Sequence, residues 1–583
     1  MKEQYPSAKF RENNYFVESS LHQIVRLTET ERHRFSPLLT TSDRKQLELE
    51  KRDEDQLMRV WDDSVDTTNA TIKYAPKINT RCVVSVADVA LEARRQAMDR
   101  RLRRFFKAIL HKLDPPMAPP IQAFERWMFN ARVSATTKQR AADALLPFNI
   151  FKEDGLVADL VRAGLTEKRA KNLTKQLGKE STACVNQLKN PISTGKNCTN
   201  AADEIKSSKD EKDDLDETAG AQRVTITYHV NSVDVTFGKH SFCKLTHVHF
   251  KKLEALYTRF SGHSDGNKNN SNKTEKKEAG EKKDGKGDAA TATAAAFDAN
   301  FSNALMTLLL RYQSILGHGF QASVPNVAFN VLQREFGVDF ECFASPLNCR
   351  WGRYCSAFVD TDAAFGSLGD FFSFKPMQGS FEVNPPFVRP IMEKAAIHVE
   401  SLLEKAEASK KALSFVVILP GWEECTCWAL MKNSKWLQTM TILPPGNHGF
   451  LDGAQHQRQD KYRPSPYPTG FFFLQTKAAT TKWPVTETKV AILRYAMLIS
   501  MPSEAEAARR MRAGRGFGTL DGGGGVYKGK KKRRRNNYGG WNDNGYSGDK
   551  DDYEDGENGN ERYQDGEKEG ANNNYEDDTN EIY

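Results

Sequence analysis

Residues 379–390 read GSFEVNPPFVRP, a short apolar run that ends in Asn384, Pro385, Pro386 and Phe387. Proline lacks the N–H that a central strand needs, so a strand reaching Val383 must stop there and leave these four residues at its carboxyl edge. In open α/β sheets that edge is where ligands bind. The residue types suit one kind of chemistry. An exocyclic amine on a planar group is a poor nucleophile because its lone pair is delocalised, so it must be held and pyramidalised before it attacks. The side-chain oxygen of Asn384 and the carbonyl of Pro385 can each accept one N–H, turning the remaining lone pair toward an electrophilic methyl group. The two prolines stiffen the loop, and Phe387 offers a flat face for stacking. Adenine N6, cytosine N4 and protein glutamine N5 all meet this description.

The methyl donor for such an amine is S-adenosylmethionine, held across the ends of neighbouring strands. VDFECFASPLN supplies an earlier strand and a tight turn of Ser345, Pro346, Leu347 and Asn348. FVDTDAAFGSLGDFF lies between that strand and GSFEV, with Asp360 or Asp362 placed to meet ribose hydroxyls. Around them VDFECFA, GSFEV, LSFVVILP, QTMTILP and TGFFFLQT are strand candidates. Amphipathic helical segments, FSNALMTLLLRYQSILG, VPNVAFNVLQREFG and IMEKAAIHVESLLEKAEASKKA, accompany them. Strands alternating with helices predict a largely parallel sheet, with the last two strands forming an antiparallel edge. No metal is expected, because the donor carries its own leaving group.

The rest of the chain divides by composition. Residues 1–84 are polar and weakly patterned, and read as mostly disordered with one helix over 44–60. VADVALEARRQAMDRRLRRFFKAILHKL, stopped by DPPMAPP, opens a basic helical domain over 85–195. Residues 196–220 form a charged linker. Residues 221–261 form a β-hairpin around Asn231-Ser232 followed by a helix, together packing on the core. Residues 262–296, low in complexity, read as a disordered insert. The methyltransferase domain then spans 297–500, and 501–583 is a disordered Gly, basic and acidic tail.

The chain has 583 residues, 84 Lys and Arg against 76 Asp and Glu, and a mean hydropathy of -0.64. A net charge of +8 allows a nucleic-acid partner without requiring one. Nine cysteines with no CxxC pair do not form a secreted disulfide framework. No apolar run reaches the roughly 18 residues of a membrane span. A soluble intracellular protein with no membrane partner is expected.

Taken together, FGVDFECFASPLNC, YCSAFVDTDAAFGS, GSFEVNPPF, LSFVVILPGW and MTILPP resemble, in order and spacing, the catalytic core of the phosphorylated-CTD-interacting-factor family, the cap-specific adenosine N6-methyltransferases of messenger RNA. The resemblance covers about residues 300–485 and extends faintly back to 85. It implies a Rossmann-like class I methyltransferase core of α/β class preceded by a helical domain, with S-adenosylmethionine as cofactor. Capped mRNA would be the partner, methylated on N6 of the cap-adjacent 2'-O-methyladenosine. Asn384, Pro385, Pro386 and Phe387 match the family's catalytic motif residue for residue. Ser345, Pro346, Leu347, Asn348, Asp360, Asn384 and His448 fall at the implied donor pocket. Phe387, Arg389, Trp422, Glu423 and Glu424 fall where capped substrate would lie, an aromatic with acidic neighbours suiting a cationic 7-methylguanine. Two departures stand out: Arg389 replaces an acidic residue, and Gly446 an aromatic. Only Trp61 and Trp127 occur where the family's WW module needs two tryptophans about 20 residues apart, so no WW-mediated docking to a polymerase tail is expected.

Other features are weighed as follows. Arg103 and Arg104, with Arg100, Arg101 and Lys107, are candidates to grip RNA phosphates. KGKKKRRR at 528–535 is a candidate sequence for an import receptor, which points to the nucleus, with the cytoplasm as the alternative. His240, Cys243, His247 and His249 read as ordinary surface or core residues rather than a zinc site, and Phe371, Phe372 and Phe374 as core. The alternatives to the main reading are an N6-adenine or glutamine-N5 methyltransferase with another acceptor, and a noncatalytic RNA-binding scaffold.

Overall fold

The structure is a computed structural model that describes residues 39–52, 84–113, 117, 120–134, 138, 142–189, 223–238, 241–261, 287–315, 321–457 and 461–501, with backbone only for 52, 121–122, 132–134 and 287–297. All of them belong to one unit, Met1–Phe517. The expectations for 1–38, 53–83, 196–220, 262–286 and 502–583, and with them Trp61, His240 and the basic run 528–535, lie outside the described residues.

The chain opens with helix α1 (Thr41–Arg52), then α2 (Val86–His111), α3 (Ile121–Ser134), α4 (Asp154–Arg162) and α5 (Glu167–Lys189). Helix α2 starts at Ser85, where the Asp88 carboxylate accepts both the N–H and the hydroxyl of Ser85 at 2.7 Å. Leu102, Phe106 and Leu110 line its inner face at helical spacing and meet Phe124 and Trp127 of α3. Strands β1 (Val224–Tyr228), β2 (Val233–Phe237) and β3 (Ser241–Leu245) form an antiparallel sheet on which α6 (His247–Phe260) follows directly. The expected hairpin is therefore three strands, not two. SFCKL shows little strand alternation in the sequence because polar Ser241 shares a face with buried Cys243 and Leu245 while apolar Phe242 lies exposed on the other face.

Two boundaries shift. Helix α7 (Gly287–Gln313) begins nine residues before the expected end of the disordered insert, because DAATATAAAF is rich in alanine, the strongest helix former. The helix expected over 44–60 is present as α1, starting three residues earlier at Thr41, and residues 53–60 lie outside the described residues. Its Leu47 is buried, and its Glu50 pairs with Arg334 at 2.8 Å.

After α8 (Asn326–Phe336) comes the sheet that carries the site. Gly337 ends α8 with φ of 68°, and a Cβ there would lie 2.1 Å from the Trp483 indole. Next follow β4 (Glu341–Ala344), β5 (Tyr354–Ser356), α9 (Val359–Asp362), β6 (Gly379–Val383) and α10 (Arg389–Ala408). The chain continues through β7 (Leu413–Pro420), α11 (Thr426–Lys432) and β8 (Leu437–Leu443). A two-stranded arm of β9 (Gly449–Leu451) and β10 (Tyr462–Pro464) then leads to β11 (Thr469–Gln475), α12 (Lys477–Lys482) and α13 (Glu487–Ile499).

The six-stranded order is β5-β4-β6-β7-β11-β8. The first four strands are parallel, and β11 runs antiparallel to both neighbours. β7 and β11 are buried along their whole length, as their unbroken apolar runs demand. One face buries Phe381, Val383, Phe415 and Val417 against α10 and α11. The other buries Val416, Ile418, Phe471 and Phe473 against α8 and α13. Phe371 and Phe374 lie in that first core, though in turns rather than a strand. β5, β9 and β10 were not expected, since three residues each are too few to show a period.

Candidate active site

From β4 the chain first goes outward to β5, then crosses to the other side of β4 to form β6. The carboxyl ends of β4 and β6 are therefore neighbours at the point where the winding reverses. The loops after these two strands are Ser345 to Asn348 and Asn384 to Phe387, so the fold brings together the two motifs that stand apart in sequence.

Asn384 is largely buried, and its Nδ2 donates to the Ala322 carbonyl at 3.3 Å. That bond fixes which end of the amide is which. Oδ1 is the end to which no described residue donates, as the expected acceptor role requires. The Pro386 carbonyl is taken by the Val388 N–H at 2.6 Å, whereas no described residue donates to the carbonyl of Pro385. Pro390 sits in the first turn of α10, which pins the far end of the loop.

Phe387 is half-buried between two edge-on rings, Trp422 at 6.4 Å and Phe450 at 6.2 Å. Tyr467 backs Trp422 at 5.7 Å. Trp422 is thus the buried wall behind Phe387 rather than an open platform, a correction to its expected stacking role. Its indole N–H is sealed from solvent and meets no partner among the described residues. Glu423 and Glu424 are exposed beside it, and Glu424 pairs with Arg389 at 3.0 Å. Phe450 and Tyr467 escaped the sequence reading because they reach the site from β9 and from the approach to β11, more than 60 residues downstream of Phe387.

Several expected donor-pocket residues have their partners within the protein. The Asn348 Oδ1 accepts from the N–H and hydroxyl of Ser345 at 2.7 and 2.9 Å, and its Nδ2 donates to the Gln321 carbonyl at 2.9 Å. Both ends of that amide shape the turn. Leu347 is buried in the core beneath it, and Pro346 is buried too. His448 is fully buried, its Nδ1 against the Pro444 carbonyl at 2.9 Å and its Nε2 against the Thr469 hydroxyl at 2.7 Å. Burial pushes its pKa down to about 4, so it is neutral and holds the loop before β9 in place. Asp360 is half-exposed in α9, just past β5, and forms a two-point ion pair with Arg311, at 3.1 and 2.8 Å. Asp362 is buried, and burial raises its pKa to about 6 against the bonds from Tyr312 and Thr361.

Arg103 is turned inward, contrary to expectation. It pairs with Asp99 at 2.8 Å and with Glu125, donates to the Ser314 carbonyl at 2.8 Å, and lies over the Phe124 ring. Burial opposes its charge, and the carboxylates of Asp99 and Glu125 overcome that and raise its pKa. Arg100, Arg104 and Lys107 are the exposed cations of that helix. Among the described residues no three His, Cys, Asp or Glu side chains gather as a metal would need, and no helix is long and apolar enough to cross a membrane.

Beneath the site, Glu341 of β4 and Glu382 of β6 are register partners, both fully enclosed. Burial pushes Glu341 up to about 7 despite the Arg350 N–H at 2.6 Å, and burial with the neighbouring Glu341 raises Glu382 well above the usual carboxylate range. In the unfolded chain both ionise near their ordinary 4.5. The folded state thus holds protons that the unfolded state releases. The stabilisation is fully present below about pH 4.5 and is lost as pH rises through about 7. Glu382→Gln should raise the thermal midpoint at pH 8 and leave it nearly unchanged at pH 4. An equal shift at both pH values would contradict the pairing.

A mixed sheet with a half-buried phenylalanine and an anchored amide at its switch point defines an α/β architecture consistent with a methyltransferase. Residues 288–453 match the family model described as Phosphorylated CTD interacting factor 1 WW domain. The chain is also 41% identical over 199 residues to proteins from Homo sapiens and Mus musculus, each named mRNA (2'-O-methyladenosine-N(6)-)-methyltransferase. These matches cover 32% of this chain and 28% of each relative. The family resemblance read from the motifs is thus met by both comparisons. The residues matched by the family model run from α7 through β9 and so include both loops of the site.

Proposed function

We propose that this chain is an S-adenosylmethionine-dependent methyltransferase acting on adenine N6 of the cap-adjacent 2'-O-methyladenosine in mRNA. The observation that carries the reading is the Asn384 amide, anchored through Nδ2 to the Ala322 carbonyl, so that neither its Oδ1 nor the adjacent Pro385 carbonyl takes a donor from any described residue, in the same loop as the half-buried Phe387. The strand order supports a Rossmann-like core. Numbered within the sheet, its first four strands run 2-1-3-4, the doubly wound arrangement with its ligand crevice at the first reversal.

The residues present fit the donor. Asp360 supplies a half-exposed carboxylate for a ribose diol, and the charge of Arg311 beside it is already matched by Glu92 and Asp360. When bound, the donor supplies an electrophilic methyl group with its own leaving group. The protein's work is to hold the acceptor. Oδ1 of Asn384 and the Pro385 carbonyl take the two N–H groups, keep the amine out of conjugation with the ring, and stabilise the positive charge that grows on N6. Phe387 stacks the base, and Trp422 and Phe450 hold that ring upright. Glu423 and Glu424 offer negative charge to the cationic cap guanine, with Arg389 steadying Glu424, while Arg104 and its exposed neighbours track the backbone. A nuclear location with residues 528–535 read by an import receptor fits this substrate. Docking to a polymerase tail through a WW module is not proposed, because Trp127 is completely buried in α3.

Labelled donor offered with RNAs capped or uncapped and starting with A or G, with a DNA oligonucleotide and with a glutamine peptide, tests the assignment. Product mass spectrometry should find one acceptor, capped RNA starting with 2'-O-methyladenosine. Transfer to uncapped RNA, DNA or peptide at equal rate would overturn the assignment of acceptor.

A further inference from the structure

Helix α7 carries two adjacent polar residues that both reach the loop after β5. Arg311 is 1% exposed, an unusual place for a guanidinium. Its Nε and Nη2 donate to Glu92 of α2 at 2.7 and 2.9 Å, and its Nη1 and Nη2 donate to Asp360 at 3.1 and 2.8 Å. The guanidinium also lies 5.0 Å above the Phe358 ring. Tyr312 donates its hydroxyl to Asp362 at 2.7 Å and meets the same Phe358 ring edge-on at 5.5 Å. Consecutive residues of one helix thus grip both acids of the loop and the aromatic that precedes them. Glu92 is itself immobilised, being buried and paired with Arg95, which in turn holds Asp143 at 2.9 Å. The fork of Arg311 is therefore fixed before Asp360 meets it. The Asp360 side chain is nonetheless half exposed, so its carboxylate borders solvent at the sheet edge.

We propose that Arg311 and Tyr312 are positioning residues for the methyl donor, aligning the loop after β5 so that Asp360 presents its carboxylate to the donor's ribose hydroxyls. This rests on the reading of that sheet edge as the donor site. Arg311 acts through Asp360 and touches no substrate. A lysine would keep the charge but lose the planar fork that sets the carboxylate's orientation. The helical segment thereby enters the donor site indirectly, through the Glu92 carboxylate of α2.

The test is calorimetric binding of S-adenosylhomocysteine to the full chain, free of turnover, with thermal unfolding recorded for every variant. Asp360→Ala and Arg311→Lys are each expected to weaken binding by about tenfold. The double variant should bind no more weakly than Asp360→Ala alone. An Arg311→Lys effect that is absent, or that multiplies fully with Asp360→Ala, would overturn the proposal and leave Arg311 as a structural ion pair. Should Arg311→Lys fail to fold, Tyr312→Phe removes one hydroxyl from the same loop. Its expected weakening of about threefold must likewise vanish in the Asp360→Ala background. No binding by the unaltered chain would instead overturn the donor-site reading itself, a result distinct from bound ligand with no Arg311 effect.

Discussion

Asn384→Ala is expected to slow methyl transfer by about 10³-fold, with the thermal midpoint almost unchanged. The side chain's only bond to a described residue is a long one, 3.3 Å to the Ala322 carbonyl, so little of the fold depends on it. What is lost is the acceptor that orients the amine as charge develops on it, an interaction worth most in the transition state. Asn384→Asp separates the two ends of the amide. It keeps an acceptor but sets a carboxylate oxygen against the Ala322 carbonyl, and should lose about tenfold. Single-turnover rates at saturating donor and RNA make the comparison. An Asn384→Ala protein that keeps normal turnover would remove the mechanism, since no other described side chain holds the same place.

Arg103→Ala is expected to destabilise the protein by about 3–5 kcal/mol, because Asp99 and Glu125 would be left buried without their cation. Asp99 and Glu125 are 2% and 3% exposed, too enclosed for water to replace the guanidinium. Its neighbour Arg104 is exposed, and Arg104→Ala should leave stability within about 0.5 kcal/mol while lowering the salt dependence of RNA binding by about one unit of slope. Denaturant unfolding of both variants, beside RNA titrations at several salt concentrations, checks the pair. Equal stability of the two variants would mean that the inward ion pairs of Arg103 contribute nothing.

That contrast shows where the sequence is legible and where it is not. GSFEV, LSFVVILP and TGFFFLQ became β6, β7 and β11 because buried strands write unbroken apolar runs. The motif at the end of β6 could be placed because two prolines cannot lie inside a sheet. Arg103 and Arg104 of RRLRRFF, in contrast, are identical in type, and only the phase of the helix against its partners decides that one faces Glu125 and the other solvent. His448 and Asn348 are expected at the donor pocket because the family resemblance implies it. Their partners are the Pro444 and Gln321 carbonyls, backbone atoms that no residue type announces. Arg311 and Glu92, 219 positions apart, form a contact visible only once α2 and α7 lie side by side.

The most direct measurement is a crystal structure of the chain with S-adenosylhomocysteine and a capped oligonucleotide beginning with 2'-O-methyladenosine. N6 of that adenosine should lie about 2.8–3.2 Å from both Oδ1 of Asn384 and the carbonyl of Pro385, with the base flat on Phe387. An adenine seated elsewhere, or an Asn384 whose amide oxygen faces away from it, would contradict the account.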